Sequence, residues 1–124
     1  MTAARALGQY GVRANAICPR ARTAMTADVF GPAEIEEGQV DPLSPEHVVS
    51  LVQFLSSPAA ADVNGQVFIV YGPRVTLVAA PTVEQQFSAE GSAWEPAQLS
   101  STLRDYFAGR DPERNFSATA LMDQ

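Results

Sequence analysis

Five stretches of the chain carry apolar positions in a pattern that predicts a helix or a strand. From Thr2 to Tyr10, Ala3, Ala6, Leu7 and Tyr10 recur as one helix face, and Gly11 follows as a natural helix stop. Met1 lies inside that pattern with no N-cap ahead of it, so the segment reads as the last turns of a helix. Val12 to Cys18 runs into continuous apolar sequence and predicts a strand ended by Pro19. Arg20 to Asp41 reads as a polar loop with a helical turn or two near Met25 to Phe30. The clearest helix is SPEHVVSLVQFLSS. Ser44 suits the N-cap, Pro45 the first helical position and Glu46 the positive end of the dipole. Val48, Leu51, Val52 and Leu55 form its buried stripe, widened by Val49 and Phe54. After a loop with Pro58 and Asn64-Gly65, the run Gln66 to Tyr71 predicts a second strand. Pro96 to Ala108 predicts a final helix with Leu99, Leu103, Tyr106 and Phe107 on one side and Gly109 as its stop.

Strand, helix, strand with so long a connection implies a right-handed crossover between parallel strands. Two parallel strands cannot bury both faces and both edges, and each backbone group left unpaired in a dry interior costs roughly 1–3 kcal/mol. The pattern therefore predicts part of a larger sheet.

Composition narrows the chemistry. The chain has 124 residues, 46% hydrophobic, with a net charge of −6, and it has no basic cluster to track a nucleic-acid backbone. All eight basic residues are arginine, which excludes Schiff bases and every other lysine-dependent step within these residues. Cys18 is the single cysteine; its apolar setting predicts a buried, reduced thiol and no intramolecular disulfide. No signal-like segment or apolar run of membrane-spanning length is present, so a cytoplasmic location is expected.

The order of ALGQYGVRANAICPR and then SPEHVVSLVQFLSSPAAADVNGQVFIVYG resembles the C-terminal portion of short-chain dehydrogenases/reductases. That family reads G-(I/V)-x-V-N-x-I-x-P-G, a substrate loop, S-P-E-x-V-A-x-x-V-x-F-L-x-S and G-Q-x-x-x-V-D-G-G. The match runs from Thr2 to about Gly72. The loop PRARTAMT and the tail from Val75 onward are similar to the long-tailed (3R)-hydroxyacyl-CoA and hydroxysteroid dehydrogenases.

The resemblance implies an α/β fold, the C-terminal part of a doubly wound, Rossmann-type parallel sheet without its N-terminal nucleotide-binding half. Residues 1–80 would belong to that domain, and residues 81–124 would be a helical extension packing on it. In the family, the Pro at the end of this strand and the following backbone line the nicotinamide, and a nearby Thr or Ser hydrogen-bonds the cofactor. Those positions are Pro19, Arg20, Ala21 and Thr23. A bulky cation replaces the family's Gly at Arg20; it meets either an acidic group of a substrate such as an acyl-CoA or the solvent. Tyr71, Gly72 and Pro73 replace the family's Asp-Gly-Gly.

The family's pyrophosphate-binding turn, T-G-x-x-x-G-x-G, does not occur in these residues, nor does its catalytic Tyr-x-x-x-Lys pair. Tyr106 alone has a basic residue four positions on, Arg110, in the tail and away from the family's position. The catalytic pair is expected just ahead of Met1, on the helix that ends at Ala3 to Tyr10. No catalytic residue and no metal site are assigned within the chain. His47 reads as an exposed first-turn residue, Glu34, Glu36 and Glu37 as a solvated loop face. Ser100, Ser101 and Thr102 follow no nucleophile pattern. Phe87 and Trp94 are expected to anchor the tail on the body or on a neighbouring subunit.

The resulting expectation is part of an NAD(P)-dependent oxidoreductase whose complete form moves hydride between NAD or NADP and a secondary alcohol or ketone such as a 3-hydroxyacyl thioester. This chain by itself is expected to be inactive and not to hold the cofactor tightly. Its partners would be the substrate and a second copy or a complementing N-terminal half. The alternative is a non-catalytic module that pairs with a full-length relative or with such a half.

Overall fold

The computed structural model describes residues 2–32, 34–117 and 120–122, so the expected place of Met1 in the first helix lies outside the described residues. The chain divides into two compact units, Met1–Ala80 and Pro81–Gln124. Among the described residues no helix is long and apolar enough to cross a membrane.

The first unit contains α1 (Thr2–Gly8), β1 (Ala16–Arg20), the single turn α2 (Ala27–Phe30), α3 (Pro45–Ser56), a 3-10 turn (Pro58–Ala60), β2 (Val67–Tyr71) and β3 (Arg74–Val78). The sheet order is β1-β2-β3. β1 and β2 are parallel, with Ala16 opposite Val67 and Arg20 opposite Tyr71. β3 returns antiparallel to β2, with Val70 opposite Val75. The sheet is thus mixed rather than purely parallel, and β3 corrects the expectation of only two strands. Its turn explains it: Gly72 has φ 57° and is followed by Pro73, which matches a two-residue hairpin turn with Gly at the first central position. Gly-Pro between two β-rich runs is a hairpin signal, here obscured because the same dipeptide also punctuates loops.

β1 starts later than its apolar pattern and runs through Pro19. The Ala16 N–H bonds the Gln66 carbonyl, so Ala16, Cys18 and Arg20 face β2, and Ile17 and Pro19 face the other edge. Pro19 is tolerated because its missing N–H points away from the ladder. The residues before β1 are held by side chains instead. Asn64 Oδ1 accepts from the Ala14 N–H at 2.9 Å, and its Nδ2 donates to the Ala4 carbonyl at 3.3 Å. Asn15 bridges the Val63 carbonyl and the Gln66 N–H. Arg13 donates to the Leu55 carbonyl at 3.0 Å, which satisfies the electronegative end of α3.

Ser44 caps α3 as its sequence predicts, accepting from the Glu46 N–H at 3.3 Å, with Pro45 at the first position. The predicted stripe is only partly buried. Leu51 is 6% exposed, whereas Val52 and Val49 are 43% and 50% exposed. The buried apolar residues among those described are Ala4, Leu51, Ala60, Ile69 and Val70. Two sequence expectations are corrected here. Ala3, Ala6, Leu7 and Tyr10 are exposed, and α1 buries Ala4 on a different face. Cys18 is exposed, because β1 has cover from α3 on one face only and Cys18 points to the other.

In the second unit, α4 spans Pro96–Ala108 and ends at Gly109, as predicted. Leu99, Leu103 and Tyr106 are half-buried and Phe107 is exposed. The extended segment ahead of α4 is clamped to it by one carboxylate. Glu84 accepts from the Tyr106 hydroxyl at 2.7 Å and from Arg110 Nε at 2.8 Å and Nη2 at 3.0 Å, with Arg114 3.4 Å away. Phe87 packs edge-on against Tyr106 with ring centroids 5.1 Å apart. The Tyr106–Arg110 spacing therefore serves a structural clamp within this unit. A 3-10 turn, Ala120–Met122, follows later in the chain.

Arg110 and then Tyr106 hold the Glu84 carboxyl down to about 2 from its ordinary 4.5. A depressed carboxyl stabilises the fold fully above its unfolded pKa and loses that contribution as pH falls through the folded one. Acid titration from about pH 4.5 to about pH 2 is expected to lower the melting temperature. Glu84→Gln should remove that part of the pH dependence, as read by circular dichroism melts; equal slopes for both proteins would contradict the clamp.

Candidate functional site

Ligands in open α/β sheets bind beyond the carboxyl ends of parallel strands. Here those ends are Arg20 and Tyr71, and the loop 21–43 leaves from the first of them. That loop is pinned by Arg22. Its backbone N–H bonds the Leu43 carbonyl at 2.7 Å, and its guanidinium bonds Asp41 at 3.1 Å, the Phe30 carbonyl at 3.3 Å and the Gly31 carbonyl. The Leu43 N–H and then Arg22 hold the Asp41 carboxyl below its ordinary range. His47, half-buried, meets the Asp41 carbonyl at 3.1 Å, and no group of His, Cys, Asp and Glu among the described residues could hold a metal. Glu34, Glu36 and Glu37 are exposed, as expected for a solvated loop face.

Pro19, Ala21 and Thr23 come together on one open groove of about 520 Å³, whose far wall is Val48, Val49 and Val52 of α3. Thr23 and Thr26 form a small hydroxyl knot. The Thr23 N–H donates to Thr26 Oγ1 at 2.8 Å, the two hydroxyls are 3.2 Å apart, and Thr26 Oγ1 donates to the Ala21 carbonyl at 2.9 Å. This knot fixes the backbone at Ala21 to Thr23. Sequence reasoning missed the part Thr26 plays in holding this loop; a hydroxyl three residues after Thr23 was its available signal.

Arg20 lies on the other face of β1. Its guanidinium carbon sits 5.3 Å from the Phe30 ring centroid and 5.2 Å from that of Tyr71. The side chain expected to meet either an acidic group of a substrate or the solvent is stacked between two rings, tying α2 to β2. Nothing in the linear pattern joins residues 20, 30 and 71. Parallel register does, by setting Arg20 beside Tyr71.

No family model matches this chain. Hydroxyacyl-CoA dehydrogenase ChsB1 of Mycobacterium tuberculosis is 74% identical over 125 aligned positions, which take in 100% of this chain and 39% of that protein. The chain is a partial homologue of the short-chain dehydrogenases/reductases. A second M. tuberculosis protein, named as of short-chain dehydrogenase/reductase type, is 38% identical over 71 residues, 57% of this chain and 23% of its own length. The crystal structure of a short chain dehydrogenase from Mycobacterium avium superposes with a TM-score of 0.65 at 32% identity, over 90% of this chain and 35% of that one. The chain thus spans about two fifths or less of each of these proteins. Its three-stranded sheet corresponds to part of the dehydrogenase structure.

Proposed function

We propose that this chain supplies the nicotinamide-facing loop and the substrate loop of an NAD(P)-dependent oxidoreductase, within residues 1–80 as the C-terminal part of a Rossmann-type domain, with residues 81–124 as its helical extension. The complete enzyme transfers hydride between the cofactor and a secondary alcohol or ketone of the 3-hydroxyacyl thioester class. The observation that carries this reading is 74% identity, across the whole chain, to a protein named a hydroxyacyl-CoA dehydrogenase.

The groove at the end of β1 suits one face of a flat aromatic amide. Its walls are apolar, and Thr23 contributes an exposed hydroxyl at the rim. When bound, NAD(P) supplies the hydride chemistry. Pro19 and Ala21 would exclude water from the ring's face, Thr23 would orient its amide, and the Arg20 stack would hold the loop beside it. No glycine-rich phosphate cradle occurs among the 124 residues, so the segment alone should hold the cofactor weakly and turn over no substrate.

A covalent chimera tests this. The aligned segment of ChsB1 is replaced by this chain, and NAD(P)-dependent oxidation of 3-hydroxyacyl thioesters is assayed. The chimera should be active, and Thr23→Val within it should raise the KM for cofactor roughly tenfold, the loss of about 1.4 kcal/mol from one hydrogen bond. A folded chimera without NAD(P)-dependent turnover sinks the proposal.

A further inference from the structure

Between the 3-10 turn and β2 the chain passes through Asn64-Gly65, the one Asn-Gly pair among its three asparagines. The side chain of the first residue and the backbone amide of the second are both engaged. Asn64 Oδ1 accepts from the Ala14 N–H at 2.9 Å, and the Gly65 N–H donates to the Ala14 carbonyl at 3.0 Å. Asn64 Nδ2 donates to the Ala4 carbonyl at 3.3 Å and lies 3.6 Å from where a Cβ on Gly8 would stand. A single side-chain amide thus joins α1 to the segment that leads into β1. Of the seven residues of α1, Ala4 is the one that is buried, so the helix has little apolar packing to hold it.

We propose that Asn64 is a deamidation site gated by α1, and that its conversion to a carboxylate releases α1 irreversibly. Glycine after asparagine favours the reaction, because no Cβ obstructs the approach of its nitrogen. The Gly65 nitrogen attacks Asn64 Cγ. A C–N bond forms, the Cγ–Nδ2 bond breaks, and the displaced N–H proton passes through water to the departing nitrogen, which leaves as ammonia. Water then opens the succinimide to aspartate or isoaspartate, so the sum is amide plus water giving acid plus ammonia. In the folded chain the step is blocked, since the attacking N–H is held by the Ala14 carbonyl and the target amide by Ala14 and Ala4. All three bonds must open together, and a short, thinly packed helix is where such local opening starts. The product cannot refasten the joint. A carboxylate on residue 64 still accepts from the Ala14 N–H, but it turns an oxygen, in place of a donor, toward the Ala4 carbonyl. Isoaspartate also adds a backbone atom ahead of Gln66, whose N–H meets Asn15 and whose carbonyl takes the Ala16 N–H, and so disturbs the start of the β1–β2 ladder.

This inference is independent of the dehydrogenase reading, and its test needs no activity. The full chain is aged at neutral pH and its peptides are mapped by mass spectrometry for amide-to-acid conversion. Conversion should fall on the Asn64 peptide, roughly tenfold or more slower than in the urea-unfolded chain. In low urea its rate should stay nearly flat, because local opening exposes little surface. Ala4→Gly, which weakens α1 without touching the Asn-Gly pair, should speed conversion roughly fivefold. Asn64→Asp should quicken hydrogen exchange across Thr2–Gly8 roughly tenfold while the Ala14 amide stays protected. Far-ultraviolet circular dichroism checks that both variants fold; if one does not, the urea series and hydrogen exchange of the aged chain, separated by charge, take its place. Conversion in the native chain as fast as in urea, a rate that climbs in step with global unfolding, or a rate unchanged by Ala4→Gly would overturn the gating by α1. An α1 that exchanges at the parent rate after Asn64→Asp would overturn the release.

Discussion

Val70→Asp is expected to abolish the cooperative thermal transition of the first unit. Val70 is 1% exposed on the central strand, opposite Pro19 on one side and Val75 on the other. A carboxylate there would have no partner, and among the described residues no polar or charged residue is buried that could offer one. An uncompensated buried charge costs on the order of 4 kcal/mol, a large share of the ~5–15 kcal/mol that holds a domain together. The core that must absorb this is small: among the described residues, five apolar ones are buried, two of them alanines. Val70→Ala should be milder, about 2 kcal/mol, because it removes contacts without burying charge. Circular dichroism melts read both. An aspartate variant melting within a few degrees of the parent would show that Val70 is not central to the core.

Gly72→Val is expected to cost about 2–3 kcal/mol and to loosen two elements together. The left-handed φ of 57° is open to glycine and strained for a β-branched residue. An added Cβ would also sit 3.2 Å from the Pro42 carbonyl oxygen, a backbone atom with little room to retreat. Pro42 precedes Leu43, whose carbonyl receives the Arg22 N–H and whose own N–H reaches Asp41. Strain at the hairpin therefore passes to the closure of the loop 21–43. Hydrogen exchange should show faster opening both at β2–β3 and at Arg22 and Leu43. Faster exchange at the hairpin alone would mean that the two elements are uncoupled.

Much of this was legible in the linear pattern. The Ser44-Pro45-Glu46 start of α3 and the Pro96 to Ala108 span of α4 follow from local rules of capping and spacing, and these elements stand where those rules put them. The parallel β1–β2 pair follows from the long crossover that joins them. The family resemblance rested on motif order and is matched by the relatives found.

The sequence by itself determined the elements whose causes are local: caps, helix periods, the parallel crossover and the absence of lysine chemistry. Only the tertiary structure decided which apolar residues are covered. Burial depends on what lies opposite, so α3 keeps Val49 and Val52 in the open and β1 exposes Cys18, although all three read as core. It also decided the partners of the charged groups. Register brought Arg20 between Phe30 and Tyr71, and the folding back of residues 81–95 gave Tyr106 and Arg110 a shared carboxylate at Glu84. Contacts between residues 10 to 51 positions apart carry no local signature, because the free energy that selects them comes from the packed fold and not from the segment.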